Sequence, residues 1–302
     1  MENETHKDSV AIVGLGKVGT AVGLLLQAAG YPIVAVSDPA PEALKRSARF
    51  PGAGVFTDCA RAAALARCIL ITTRDDQIAP VCEEICRSGG VRPGDTCVHM
   101  SGAGTLDLLA SARDLGAHVA SIHPIQSFAD VEGAIANLPG STFGITAEPS
   151  LHPWALQFVR DLGGVPFLVA EDEKTLYHAA ACMASNYLTT LMSMVEDLYR
   201  ALGVAPACAL QTFWPLVRGT LRNIEVQGTV DALTGPIARG DVGTLRKHLI
   251  ALRSRKPDYL NLYCQLGLMT LALSARQHRL GPEKISEMEA VLKGGFNDEH
   301  AG

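Results

Sequence analysis

From Val10 to Val169 the chain alternates short apolar runs with stretches of helical periodicity. Few folds accept that alternation. Apolar runs separated by a helix length of chain pack as neighbouring parallel strands, with crossover helices covering both faces. The runs are Val10 to Val13, Ile33 to Ser37, Cys68 to Thr73, Thr96 to Met100, His118 to Ile122, Thr142 to Ile145 and Pro166 to Val169. A shorter strand is expected at Gly54 to Phe56. Pro41 opens one intervening helix, Asp75 and Asp76 read as N-cap residues of another, and Gly89, Gly90, Pro93 and Gly94 turn the chain after it. The expected fold class is α/β, a doubly wound, mostly parallel sheet.

After the acidic stretch "AEDEK", residues 170 to 174, alternation stops and the rest reads as helical. Helices are expected over Lys174 to Gly203, Pro206 to Val226, Val242 to Ser254, Pro257 to His278 and Pro282 to Lys293. The chain of 302 residues therefore divides into a nucleotide-binding half, 1–170, and an all-helical half, 171–302. The helical half is rich in leucine and alanine, and such faces are usually buried by association, so a homodimer is expected.

A net charge of −5 gives no basic surface for a phosphate backbone, which argues against nucleic acid. The polar start "MENETHKDSV" lacks a signal peptide's basic and apolar parts, and no apolar run reaches the length of a membrane span. A cytoplasmic protein with no membrane partner is expected. Its eight cysteines lack zinc-like spacing and read as reduced core thiols; Cys82 and Cys86 share a helix face without completing a metal site.

"VAIVGLGKVGTAVG" places Gly14, Gly16 and Gly19 after a strand and at the opening of a helix. The first glycine permits a tight turn, the second close approach of a pyrophosphate, and the third packing of helix on strand. The backbone amides of Leu15, Lys17 and Val18 belong to the same helix start, where anions are stabilised. The cofactor expected is NAD or NADP. Asp38 ends the second strand, where a carboxylate accepts from the ribose and repels a 2′-phosphate, which favours NAD; Lys45 and Arg46 lie close enough to complicate the choice. Thr72 and Thr73 follow the fourth strand, and Ser101 with Gly102 follows the fifth, all on the same sheet edge.

Three clusters could supply chemistry beside such a cofactor. His123 follows the sixth strand, with Gln126 and Ser127 as further donors, and a histidine titrating near neutrality suits proton transfer. Its structural alternative is a histidine bonded to backbone. His178, Cys182, Ser185 and Thr189 recur on one helix face with Asn186 beside it; His178 and Asn186 are the catalytic candidates there, and Ser185 a substrate contact. The alternative is helix packing through small polar residues. "LTGPIARGD" carries Arg239, whose fork can grip a carboxylate, and Asp241, which reads as an N-cap; Asn223 lies upstream. Arg239 could equally serve a subunit contact.

With "GLGKVG", "TTRDDQIA", "HMSGAG", "SIHPIQSFA", "YHAAACMASNYL" and "ALTGPIARGDVGTLRKHL" in order, the chain resembles Rossmann-like proteins carrying a C-terminal domain of unknown function 2520. That family is similar to the 6-phosphogluconate, 3-hydroxyisobutyrate and ketopantoate reductases. The resemblance implies an NAD(P)-dependent oxidoreductase reducing a small keto acid such as 2-dehydropantoate, a small-molecule carboxylate. A departure stands against it: those relatives carry a catalytic lysine four residues before an asparagine, and here that position, before Asn186, is Cys182. Two alternatives follow, an imino acid reductase of the pyrroline-5-carboxylate type and a regulatory protein that binds NAD(P) without catalysis.

Overall fold

In a computed structural model, which describes residues 7–297, the chain divides into two compact units, 1–187 and 188–302. The first unit is built on eight strands: β1 (Val10–Val13), β2 (Ile33–Ser37), β3 (Gly54–Phe56), β4 (Cys68–Ile71), β5 (Thr96–His99), β6 (His118–Pro124), β7 (Thr142–Ala147) and β8 (Val165–Leu168). Their order across the sheet is β3-β2-β1-β4-β5-β6-β7-β8. All neighbours pair in parallel except β6 and β7. Every residue of β1, β4 and β5 is buried, which is why these central strands read as continuous apolar runs instead of alternating ones.

Register decides where the strand ends fall. Val13 pairs with Ile71, Ile71 with His99, and His99 with Ser121, so one row crosses four adjacent strands. Beyond that row β1, β4 and β5 leave the sheet on one side. Gly14, Thr72, Met100 and Ile122 are thereby brought into line although 108 positions separate the first from the last. This carboxyl edge is where open α/β sheets bind ligands.

Two elements differ from the sequence expectation. Strand β6 continues past Ile122 to Pro124, because β7 runs antiparallel beside it and pairs His123 with Gly144 and Pro124 with Phe143. His123 therefore sits in a strand and not in a loop. The single helix expected over Lys174 to Gly203 is three pieces: α-helix Lys174–Cys182, a π turn Met183–Tyr187, and α-helix Leu188–Ala201. The π turn breaks the spacing that would have set His178, Cys182, Ser185 and Thr189 on one continuous face. The division between the units falls at its end.

The second unit is helical. Helices Val242–Arg255, Leu260–Ala275 and Pro282–Asn297 enclose Val242, Leu245, Leu271, Met288 and Leu292. Helix Pro206–Asp231 runs past the expected end at Val226 and bends at Gly228, whose φ of 77° no other residue type adopts readily. Among the described residues, no helix is long and apolar enough to cross a membrane.

Candidate active site

Gly14 has φ of 102°, and a Cβ there would lie 2.9 Å from the Thr72 carbonyl carbon. A Cβ at Gly19 would stand 2.1 Å from the Gly14 carbonyl oxygen. Neither position accepts a side chain. Gly16, by contrast, has open space where its Cβ would be, as the close approach of a pyrophosphate demands. It caps helix Lys17–Ala28 without a side-chain bond, so the first amides of that helix have no intrahelical partner. Leu15 is buried, Lys17 exposed and Val18 half-buried.

Beside this turn opens a cleft of about 580 Å³, walled by Gly14, Gly16, Asp38, Thr72 and Thr73 and closed opposite by Val81. Ser37 Oγ and Thr73 Oγ1 are buried beside it and have no partner in the protein. Unsatisfied buried hydroxyls of this kind are rare unless a ligand completes them. The cleft thus fits a polyhydroxylated, phosphate-bearing group, and a dinucleotide meets both demands. Asp38 is already engaged: Oδ2 accepts from Leu15 N–H at 2.9 Å and Oδ1 from Ala40 N–H at 2.8 Å. Arg46 donates to the Leu15 carbonyl at 2.9 Å, and Lys45 is paired with Glu42.

Further along the same edge, His123, Tyr177 and His178 form a ring cluster. His123 Nδ1 and the Tyr177 hydroxyl share a 2.8 Å hydrogen bond, and the His123 and His178 rings meet edge to face at 5.9 Å. Burial, helped by His178 and Lys174, pushes the His123 imidazole down to about 4. It is therefore neutral at physiological pH, against the expectation of a group titrating near neutrality. Burial likewise raises the Tyr177 phenol to about 12, so it keeps its proton. The phenol oxygen accepts from Gly144 N–H, and its own proton has two acceptors in reach, His123 Nδ1 at 2.8 Å and the His123 carbonyl at 3.4 Å; donation to Nδ1 places the imidazole's proton on Nε2. Nε2 faces Gly102: a Cβ there would come within 2.9 Å of it.

Ser101 and Gly102 lie in this cluster, but the Ser101 hydroxyl is committed, donating to Asp75 at 2.7 Å and accepting from Gly104 N–H at 2.9 Å. Asp75 is consequently no N-cap; Arg74 holds that place, without a capping bond. Thr72 is committed as well, its Oγ1 donating to the Gly14 carbonyl at 2.7 Å. Gln126 spends its amide on Ser141 and the Asn137 carbonyl, and its oxygen accepts from Ser127 N–H, so the pair structures its own loop. Ser185 and Asn186 fall in the π turn. Cys182 Sγ lies 3.9 Å from His178 Nδ1. Asn223 and Arg239 belong to the second unit, on helices Pro206–Asp231 and Pro236–Arg239, both exposed. Asp241 caps its helix as expected, accepting from Thr244 N–H.

Sequence reasoning missed three members of the cluster: Tyr177, Lys174 and His99. Tyr177 lay within a quoted motif, next to His178, and its pairing with His123 spans 54 positions. Lys174 closes an acidic run and reads as a solvent-facing charge, yet it is 1% exposed.

The first half matches the model of a Rossmann-like domain over residues 2–124, and the second the model of a domain of unknown function, DUF2520, over residues 141–270. The chain carries both domains. No curated protein matches it by sequence. Among solved structures it is similar to a protein from Bacteroides fragilis provisionally assigned as an NADP oxidoreductase, with 20% identity, TM-score 0.70, and 89% of this chain and 98% of that one covered. Protein TM1727 from Thermotoga maritima gives 21% identity and TM-score 0.67, covering 89% and 100%. A 1-pyrroline-5-carboxylate reductase from Streptococcus pyogenes gives 17% and 0.61, covering 94% and 99%. Identities this low speak for the shared fold.

Proposed function

We propose that the protein is a nicotinamide-dependent oxidoreductase that reduces the C=N or C=O bond of a small acid. The observation that carries the reading is one sheet edge joining the glycine-turn cleft, with its partnerless Ser37 and Thr73 hydroxyls, to the ordered His123–Tyr177 pair. Gly14, Gly16 and Gly19 would admit the pyrophosphate, and Asp38 the ribose; the engaged Asp38 carboxylate supports NAD. When bound, the nicotinamide supplies hydride.

The state of His123 distinguishes the candidate substrates. When the Tyr177 hydroxyl donates to Nδ1, the neutral imidazole presents Nε2–H and can orient an acceptor, but it is a poor acid, since giving up that proton would leave an anion. A keto acid such as 2-dehydropantoate needs a proton for its developing alkoxide. A cyclic imine that enters as its iminium already carries the proton its nitrogen needs, so the hydride completes the amine and the protein need only orient it. The absence of a lysine at Cys182 points the same way, so an imino acid is the favoured substrate and a keto acid the second reading. Arg239 and Asn223 are proposed carboxylate contacts. A homodimer, closed through the exposed apolar side chains of the second unit, is the proposed assembly.

Purified protein supplied with NADH or NADPH and a panel of cyclic imino and keto acids tests the reading by cofactor absorbance. Turnover of an imino acid above every keto acid is expected. Tight cofactor binding with no turnover of either class would leave a non-catalytic binding protein instead.

A further inference from the structure

Lys174 is a fully buried cation beside His99 and His123, whose imidazoles burial holds neutral. Its Nζ donates to Ser121 Oγ at 2.7 Å and to the Ser101 carbonyl at 3.5 Å. Ser121 Oγ donates to the same carbonyl at 3.2 Å. One carbonyl just beyond β5 thus collects a donor from β6 and a donor from the helix Lys174–Cys182. Three residues before Lys174, Glu171 Oε1 accepts from Leu106 N–H at 2.7 Å, which ties down the far end of the same loop.

Inside the loop the bonds are equally specific. His99 Nδ1 accepts from Ser101 N–H at 3.2 Å, and His99 Nε2 bonds the Thr105 carbonyl at 3.1 Å. Between these anchors stands Gly102. A Cβ there would come 2.4 Å from His178 Cδ2 and 2.9 Å from His123 Nε2, so a small movement of the loop changes the space before both rings.

We propose that Lys174 is a positioning residue: with Glu171 it clamps the loop Ser101–Leu106 to β6 and to its own helix, and so sets where Gly102 meets His123 and His178. This rests on reading that edge as the reductase's substrate-facing wall. Lys174 is not itself the missing proton donor, because its Nζ is enclosed and spent on Ser121 and Ser101, out of reach of a reacting atom.

A methionine would fill the space, so the charge needs a reason. An enclosed ammonium is unfavourable unless it is paired and hydrogen-bonded. Here Glu171 and Asp75 favour the charged form, while burial outweighs them and holds Lys174 down to about 8. The ionisable groups around it are His99 from β5, His123 from β6, Asp75 from helix Asp75–Arg87, and Glu171 and His178 from its own segment. Its charge opposes protonation of both His99 and His123. One side chain therefore fixes the loop and helps to keep the neighbouring rings neutral.

Lys174→Gln keeps a donor and removes the charge. In NMR titrations the His123 midpoint should move up from about 4, and the Ser101 and Gly102 amide resonances should shift. With a turned-over substrate, kcat should fall by roughly tenfold to a hundredfold, as misplacement of a wall implies, while NADH affinity holds. Glu171→Ala, on an exposed residue, removes the acceptor of Leu106 N–H, releases the other end of the clamp and gives a milder variant should Lys174→Gln not fold; it too should shift the Gly102 amide. Unmoved His123 and Gly102 signals in the folded variants would overturn the inference. Shifted signals in a protein that reduces nothing would uphold the clamp and remove the proposed function, so the two failures are distinct.

Discussion

The carboxyl edge of the sheet and the long helix Pro206–Asp231 present opposite conditions. At the edge, polar side chains are enclosed and their bonds are spent within the fold: Lys174 on Ser121, Ser101 on Asp75, Thr72 on Gly14. On the helix only Ala209 and Phe213 are buried, while Leu216 is 71% and Val226 74% exposed, with Trp214 and Leu221 also open to solvent. Burying a side chain of that size is worth about 1.5–3 kcal/mol, so water is a poor environment for these side chains. The edge satisfies most of its polar groups within its own unit, the Ser37 and Thr73 hydroxyls excepted. The helix is complete only when another surface covers it, which the proposed second copy would do.

The sharpest way to break that contrast is on the sheet side. Gly19→Val places a side chain against the Gly14 carbonyl, so NADH binding measured by calorimetry should weaken by a hundredfold or more, about 2.7 kcal/mol. Binding that survives would remove the glycine turn from the cofactor site.

On the helix side, Leu216→Glu together with Val226→Glu should halve the mass seen by light scattering at micromolar concentration and leave the sheet's fold intact by circular dichroism. A single monomeric mass for the unaltered protein would mean that these exposed apolar side chains serve something other than a second copy.

Acid offers a smaller probe of the enclosed edge. His99 and His123 are both held down to about 4, against an ordinary value near 6.5. Between those values the unfolded chain takes up protons that the native rings refuse, so their contribution is whole above pH 6.5 and is lost as pH falls towards 4. The loss is at most on the order of 3 kcal/mol for each ring. Urea midpoints across this range should fall more steeply for the native protein than for His123→Gln. In pH–rate profiles of the same two proteins, kcat/KM should show no limb near neutrality belonging to His123.

The least effect is expected at Asp38. Asp38→Ser removes the carboxylate proposed to favour NADH and should narrow the proposed advantage over NADPH by about tenfold, or 1.4 kcal/mol. A native protein that already prefers NADPH tenfold would reverse the assignment and turn attention to Arg46.

Much of the sheet was legible because local chemistry dictates it. Val10–Val13, Ile33–Ser37 and Gly54–Phe56 begin and end where the apolar runs do, and the glycine spacing located the tight turn that opens helix Lys17–Ala28. The site was legible in part. His123 and His178 do converge, but the proton-transfer role expected of His123 assumed an exposed ring, and enclosure by Tyr177, His178 and Lys174 changes its ionisation. The π turn at Met183–Tyr187 left no mark in helical periodicity, which cannot distinguish a continued helix from one that gains a residue.

What the sequence by itself determined is what depends on neighbours along the chain: the order of strands and helices, the tight turn that requires glycine, the N-cap at Asp241 and the absence of any apolar run long enough for a membrane. What only the tertiary structure decided is the charge and commitment of each polar group. Lys174 illustrates the reason. Its sequence neighbours Glu171, Asp172 and Glu173 mark a solvated helix start, whereas its actual surroundings are Ser101 and Ser121, brought from 73 and 53 positions away by strand register. Desolvation and pairing act through space, and they determine whether a lysine is a surface charge or the clamp of a site.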